Sequence, residues 1–319
     1  MFLGVDGGGT KTAFALIDSA GRVLARHQES SAYHVEIGLD GLAAMLTSGC
    51  ATLFAAAGVT ASDVSYAFFG LPAYGEDRHV QQQLDALPRA VLGHGRYLCG
   101  NDMLCSWAGS LACADGISVI AGTGSMAYGE FAGRSARAGG WGELFSDEGS
   151  AHWIARAGLG LFSRMSDGRA PRGPLYPLMR ERLALQDDLD LCQVVYGELK
   201  GERSRIAALS RMVSEAAAQG DRQAQAIIDA AAAELVALVD AVRGALGVAD
   251  GQGVAVSYTG GLFGEDGPLH APFATALAAR GAAYRLGPPR LAPVLGAALY
   301  AARSAGTPLS AAALDCLAN

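Results

Sequence analysis

The sequence predicts an α/β fold of two domains around a cleft, and three observations carry that expectation. The chain has 319 residues, more than one hydrophobic core usually organises. Strand-like and helix-like patterns alternate along most of it. Three of the strand-like runs end in glycine turns that carry hydroxyls: "GVDGGGTKT" at 4–12, "VIAGTGS" at 119–125 and "VSYTGG" at 256–261.

The elements follow in order. "MFLGVD", "KTAFALID" and "RVLARHQ" read as three strands of a meander, with "DSAGR" as a hairpin connection. "LDGLAAMLTSGCATLFAAAG" has helical apolar spacing and stops at Gly58. "VSYAFFGLP" is a strand, "EDRHVQQQLDAL" a helix, and "GRYLCGND" a strand that ends in polar residues. A helix is expected from about Met103 to Ala114, then the strand "GISVIAGTGS" and the hairpin "MAYGEFAGRSARAGG". From about Glu148 to Leu246 the chain is mostly helical. In that stretch Ile227, Ile228, Ala231, Leu235, Leu238, Val239, Val242 and Leu246 form one apolar face. "GVAVSYTGGLFG" repeats the strand-to-glycine pattern, and "LAPVLGAALYAARSAG" is a closing helix.

Composition narrows the function classes. Hydrophobic residues make up 51% and charged residues 17%, which fits a packed soluble protein. A net charge of −7 without a basic cluster argues against nucleic acid or an anionic membrane surface as partner. No signal peptide is visible. The apolar tract near 226–249 is broken by Asp229, Glu234, Asp240 and Arg243 and cannot span a membrane, so a cytoplasmic protein is expected. The six cysteines, Cys50, Cys99, Cys105, Cys113, Cys192 and Cys316, have no CxxC spacing and no nearby His, so neither zinc nor a redox pair is expected.

A single glycine turn after a strand is more often a tight reversal than a ligand site. Three in one chain point to phosphate, because bare backbone lets N–H groups approach its oxygens while hydroxyls and a Lys add donors. A P-loop does not fit, since Thr10 separates Gly9 from Lys11 and a strand pattern follows. A dinucleotide fold would need its glycines to open a helix. Two lobes that each lend a glycine hairpin to one nucleotide remain.

At this point the sequence resembles the sugar kinase, Hsp70 and actin superfamily. "GVDGGGTKT", "GTGS", "GGWGELFSDEGSAHWIA", "TGG" and "APVLGAALYAA" are similar to the N-acetylglucosamine kinase group of the BadF/BadG/BcrA/BcrD ATPase family, from residue 4 to about 306. The resemblance implies two ribonuclease H-like (actin-like ATPase) domains, 1–121 and 122–290, with the helix 291–306 packing back on the first. It also implies ATP and Mg²⁺ as cofactors, a small-molecule sugar as substrate, and a homodimer.

The site residues follow from the same resemblance. Asp6 would hold Mg²⁺ directly or through water. Gly8, Gly9, Thr10 and Lys11 would form the first phosphate hairpin, although Lys11 also suits a solvated strand edge. Gly122, Thr123 and Gly124 would form the second, Gly260 and Gly261 the adenosine-side turn, and Ala207 a further nucleotide contact at the start of a helix. Asp102 on spacing alone reads as a helix N-cap; the resemblance makes it the general base. Gly140, Trp141 and Gly142 would contact the sugar, Asp147 would bind its hydroxyls, and Ser125 is a further sugar-contact candidate. Trp141 would equally suit a core, and Glu148 the first turn of the following helix.

One position departs from the pattern. Where the animal enzyme of the group carries an Asn, "SSAYHVEIG" places Tyr33, with His34 and Gly38 keeping the local frame. The expected reaction is phosphorylation of N-acetylglucosamine to its 6-phosphate, with glucosamine or N-acetylmuramate as alternative acceptors. Two other classes use the same fold. ATPase activators of acyl-CoA reductases or dehydratases carry an iron–sulfur cluster, whose cysteines would follow the second phosphate turn, and none lies between Cys113 and Cys192. A sugar-sensing regulator would append a DNA-binding domain, and none is expected ahead of a strand that starts at residue 2.

Overall fold

The computed structural model describes residues 1–264 and 267–318. The chain divides into two compact units, one built from 1–115 with 288–319 and the other from 116–287.

The first unit is organised by one sheet with the order β3-β2-β1-β4-β5: β1 (Phe2–Gly7), β2 (Thr12–Ile17), β3 (Val23–Glu29), β4 (Tyr66–Leu71) and β5 (Tyr97–Asn101). β1 to β3 form the expected antiparallel meander, and β4 and β5 add parallel to β1. β1 is central and buried almost throughout, as a strand covered on both faces must be. One face carries α1 (His34–Ala57) and α2 (Arg78–Leu92), with Leu42, Leu46 and Leu53 packed on Leu3, Val5 and Phe69. α1 starts five residues before the expected one because His34–Ile37 form a first turn ahead of a break at Gly38, whose φ is 72°. It ends at Gly58 in the left-handed region, where the missing Cβ removes the steric cost. α1 is long and apolar enough to cross a membrane, yet in the fold its apolar stripe lies in this core.

The opposite face carries α3 (Met103–Leu111) and α11 (Pro293–Ser304), with α12 (Ala311–Ala318) beside them. α11 lies directly on β1. A Cβ on Gly4 would meet the Ala298 nitrogen at 2.2 Å, and one on Gly296 the Gly109 nitrogen at 2.1 Å, so bare glycines set both approaches.

The second unit repeats the plan. Its sheet has the order β10-β9-β6-β7-β8: β6 (Gly116–Ala121), β7 (Ser125–Phe131), β8 (Arg134–Gly139), β9 (Val254–Thr259) and β10 (Tyr284–Leu286). β6 to β8 are an antiparallel meander, and β9 and β10 add parallel, the pattern of the first sheet. Ala132 and Gly133, both at positive φ, make the two-residue turn between β7 and β8. The sequence reading assigned 116–121 to the first domain; here that strand pairs with β7 and β9, which fixes it in the second unit.

The helices of this unit are α4 (Ala151–Ser166), α5 (Leu175–Arg182), α6 (Asp190–Cys192, continuing as a π-helical turn, Gln193–Glu198), α7 (Arg203–Ala208), α8 (Ser210–Ala218), α9 (Arg222–Leu246) and α10 (His270–Ala278). α9 buries Ile228, Ala231, Leu235, Val239, Val242 and Leu246, while Ile227 and Leu238 are only partly covered. α10, β10 and α12 were not anticipated. All three are short, and short elements leave little periodic signal.

Candidate active site

In the first unit, register brings the acidic residues together. Asp6 near the end of β1 pairs with Gly70 of β4, and Gly70 with Gly100 of β5, two residues before Asp102. Gly70 permits the approach, since a Cβ there would meet Cys105 Sγ at 2.2 Å and the Asp102 Cα at 3.3 Å. Asp102 stands at the N-cap position of α3 without making the cap. Its side chain makes no capping hydrogen bond, and the Met103 amide donates instead to Asn101 Oδ1 at 3.1 Å. The side-chain cap that spacing suggested is not made, which leaves the Asp102 carboxylate for chemistry.

Both carboxylates are costly to ionise, and the charge of Asp102 adds to the cost at Asp6. Burial, then the charge of Asp102, push Asp6 up to about 7, against the opposing effects of the Cys105 thiol and the Lys11 ammonium. Burial, then the charge of Glu76, push Asp102 up to about 6, with nearby backbone amides opposing. Among the described residues neither carboxylate has a Lys, Arg or His within ion-pair distance. No group of three or more His, Cys, Asp or Glu among those residues is placed to hold a metal. Such a donor set fits Mg²⁺, which takes one or two carboxylates and completes its shell with water and phosphate oxygens.

The first glycine turn joins β1 to β2 beside Asp6. Gly9, Thr10 and Lys11 are exposed, and nothing lies within 4 Å of a Cβ at Gly9. The turn is tied to the loop after β3, because the Ala32 amide donates to the Gly8 carbonyl at 3.0 Å and Thr12 Oγ1 to the Ser30 carbonyl at 2.7 Å. That places Tyr33 next to the turn, as the N-cap residue of α1, its amide donating to Ser31 Oγ at 3.0 Å.

In the second unit, the β6–β7 turn is closed by the Gly122 amide donating to the Gly124 carbonyl at 2.9 Å. α4 begins against it, with the Ala151 amide on the Gly122 carbonyl at 2.9 Å. Ser150 caps α4 by accepting from the Trp153 amide, and Glu148 lies ahead of the helix rather than in its first turn. Gly260, at φ 101°, backs onto the end of β6, where a Cβ would meet the Ala121 oxygen at 2.3 Å, while Gly261 is open. Gly122 to Gly124, Gly260 and Gly261 thus converge at one end of this sheet.

The sugar-loop candidates divide. Trp141 is 67% exposed under the Arg137 guanidinium, so it is not core, and Leu144 and Phe145 beside it are exposed too. Gly140 and Gly142 both need positive φ. Ser125 is buried and donates to the Glu148 carbonyl at 2.6 Å, so it anchors the loop rather than offering a free hydroxyl. Asp147 is 2% exposed and ion-paired with Arg203, a partner that sequence reading missed. The pairing spans 56 positions, and nothing local announces it. Ala207 lies near the end of α7, buried, and not among the first residues of a helix as expected. The first residue of α7 is Arg203.

The sequence matches the BadF/BadG/BcrA/BcrD ATPase family over residues 3–301. The chain belongs to this family. The N-acetyl-D-glucosamine kinase of Dictyostelium discoideum is 30% identical over 278 residues, 84% of this chain and 87% of its own. The N-acetylmuramic acid/N-acetylglucosamine kinase of Clostridium acetobutylicum is 35% identical over 170 residues, 52% of this chain and 54% of its own. Among solved structures, a candidate N-acetylglucosamine kinase of Chromobacterium violaceum superposes with a TM-score of 0.73 at 24% identity, over 93% of this chain and 97% of that one. A ROK family glucokinase of Streptomyces griseus, solved with glucose and AMPPNP, gives 0.56 at 18%, over 95% and 99%. The fold of this family member is therefore the two-domain actin-like ATPase fold of the ROK sugar kinases.

Proposed function

We propose that the protein is an ATP-dependent amino-sugar kinase that transfers the γ-phosphoryl group to the 6-hydroxyl of N-acetylglucosamine. The observation that carries the reading is Asp102, an uncapped carboxylate with its pKa raised to about 6, beside Asp6 and the first glycine turn. A base in that range is ionised at neutral pH yet basic enough to take a proton as the acceptor oxygen attacks. The named activities of the two relatives support the same class.

Each residue then has a task. The amides of Gly8 and Gly9 with the Thr10 hydroxyl donate to phosphate oxygens, and Lys11 adds positive charge. Asp6 would hold Mg²⁺, which supplies charge neutralisation on the phosphate oxygens. In the second unit the amides of Thr123 and Gly124, on the turn that Gly122 closes, donate to nucleotide phosphate, and Gly260 and Gly261 take the adenosine end. Asp102 orients the acceptor hydroxyl and accepts its proton. Gly140, Trp141 and Gly142 contact the sugar, and Tyr33 is a further candidate for that contact. Cytoplasmic location and a homodimer complete the proposal, the latter checked by sedimentation velocity.

The Clostridium relative's name keeps N-acetylmuramate in view as an acceptor, and Tyr33 keeps glucosamine, since a phenol replaces the amide of an Asn. An ATP-coupled screen over N-acetylglucosamine, glucosamine, N-acetylmannosamine, N-acetylmuramate and glucose, with and without Mg²⁺, tests the reading. Highest kcat/KM on N-acetylglucosamine with Mg²⁺ is expected. ADP release that no sugar stimulates would refute it.

A further inference from the structure

Arg203 links the second glycine turn to the sugar loop within one unit. Its guanidinium pairs with Asp147, and its Nε lies 3.2 Å from Glu143 Oε2. The same guanidinium presses on the turn: a Cβ at Gly124 would meet Arg203 Nη2 at 2.3 Å and Asp147 Oδ2 at 2.8 Å. One cation therefore touches the phosphate turn and two carboxylates of the loop, Glu143 and Asp147. Its hydrogen bonding is unsaturated, because Nε is buried and finds no aligned acceptor in spite of the Glu143 distance. The partners differ in freedom. The Arg203 side chain is 39% exposed and that of Asp147 2%, and Asp147 is held at φ 59°, a strained value for a residue with a Cβ.

We propose that Arg203 is a positioning residue that couples the two substrates. In the empty protein it neutralises Asp147; with nucleotide phosphate on Gly122 to Gly124 it turns its fork to the phosphate oxygens and releases Asp147 to accept sugar hydroxyls. The proposal rests on the kinase reading of this site. A guanidinium suits the exchange, since its planar donors match carboxylate and phosphate alike. A buried carboxylate left without a partner is costly. Nucleotide that draws Arg203 away therefore makes sugar binding more favourable, and sugar that satisfies Asp147 frees Arg203 for phosphate. Linkage makes the two effects equal.

Calorimetric titration tests this with the non-hydrolysable analogue AMPPNP and the sugar of highest turnover in the screen. In the wild type, saturating AMPPNP should tighten the sugar Kd by about tenfold, within the usual range of coupling between sites. In Arg203→Gln the ratio of sugar Kd values with and without AMPPNP should fall to near one. Because that variant leaves Asp147 unpaired and puts folding at stake, Asp147→Asn provides a second measurement. It removes the competitor for Arg203, so AMPPNP should bind several-fold more tightly while sugar binds more weakly. A purely structural ion pair predicts no gain in nucleotide affinity. Coupling that is absent in the wild type or survives in Arg203→Gln, or an unchanged AMPPNP affinity in Asp147→Asn, would overturn the proposal. A failed kinase reading is distinct, because then the wild type phosphorylates no sugar in the screen.

Discussion

At the scale of single residues, Asp102 and Asp6 set activity and stability against each other. Asp102→Asn should lower kcat by about 10² to 10⁴, the range for loss of a general base. Without a capping bond to lose, its melting midpoint should stay level or rise. The pH dependence has a defined sign. Both carboxyls are raised in the fold, Asp6 to about 7 and Asp102 to about 6, from 3.8. Their contribution to stability is therefore full below about pH 4 and is lost as pH rises through 6 to 7. Other carboxylates, such as Asp18 and Asp188, are lowered and run the opposite way, so the informative quantity is a difference. In Mg²⁺-free buffer, Asp6→Asn and Asp102→Asn should gain more in melting midpoint over wild type at pH 8 than at pH 5. Equal gains at the two pH values would show that neither charge is costly. Activity should instead rise with pH through about 6, as Asp102 ionises.

At the scale of elements, glycines set how closely helices approach strands. Gly70 is the position at which β4 accepts the start of α3. Gly70→Ala puts a Cβ 2.2 Å from Cys105 Sγ, so α3 must retreat and carry Asp102 with it. Overpacking of this kind costs about 1 to 3 kcal/mol. A displacement near 1 Å at a reacting group can cost about 10² in rate. The variant should lose at least about tenfold in kcat while still folding, as read by steady-state kinetics and circular dichroism. Gly9→Ala, with open space around its Cβ, is the folding control and should keep its melting midpoint. Full kcat in Gly70→Ala would mean that the start of α3 is not what positions Asp102.

At the scale of the molecule, the two units have separate cores. The largest joins Ile117, Val119, Phe162, Val213, Leu235 and Val239 in the second unit, while Leu3, Val5, Leu46 and Phe69 belong to the first. The first unit also needs the chain's return, since α11 covers β1 after 172 intervening residues fold as the second, Gly116–Gly287. Separate cores predict that unfolding is not a single two-state step. Scanning calorimetry should give a calorimetric enthalpy larger than the van 't Hoff value; equality would indicate one cooperative unit.

What the sequence determined by itself is what physics keeps local. Short apolar runs ending in glycine or other turn residues marked β1 to β9, the αL stop at Gly58 ended α1, and the apolar face of α9 was readable because its contacts repeat every turn. The three glycine turns were legible for the same reason, since each needs only a few adjacent residues with bare backbone. Tertiary structure decided which of these pieces meet. β6 joined the second sheet rather than the first, because hydrogen-bond partners on β7 and β9 outweigh position in the chain. Burial raised the pKa values of Asp6 and Asp102, 96 positions apart, and the register of β1, β4 and β5 added the charge of Asp102 to the cost at Asp6. Asp102 took the N-cap position of α3 without the capping bond, while the Met103 amide turned to Asn101, an outcome that composition cannot judge. Arg203 found Asp147 across 56 positions, while Ala207, picked from the same stretch, turned into the core. Charge pairing and burial act through space, and the path of the chain through the fold brings those partners together.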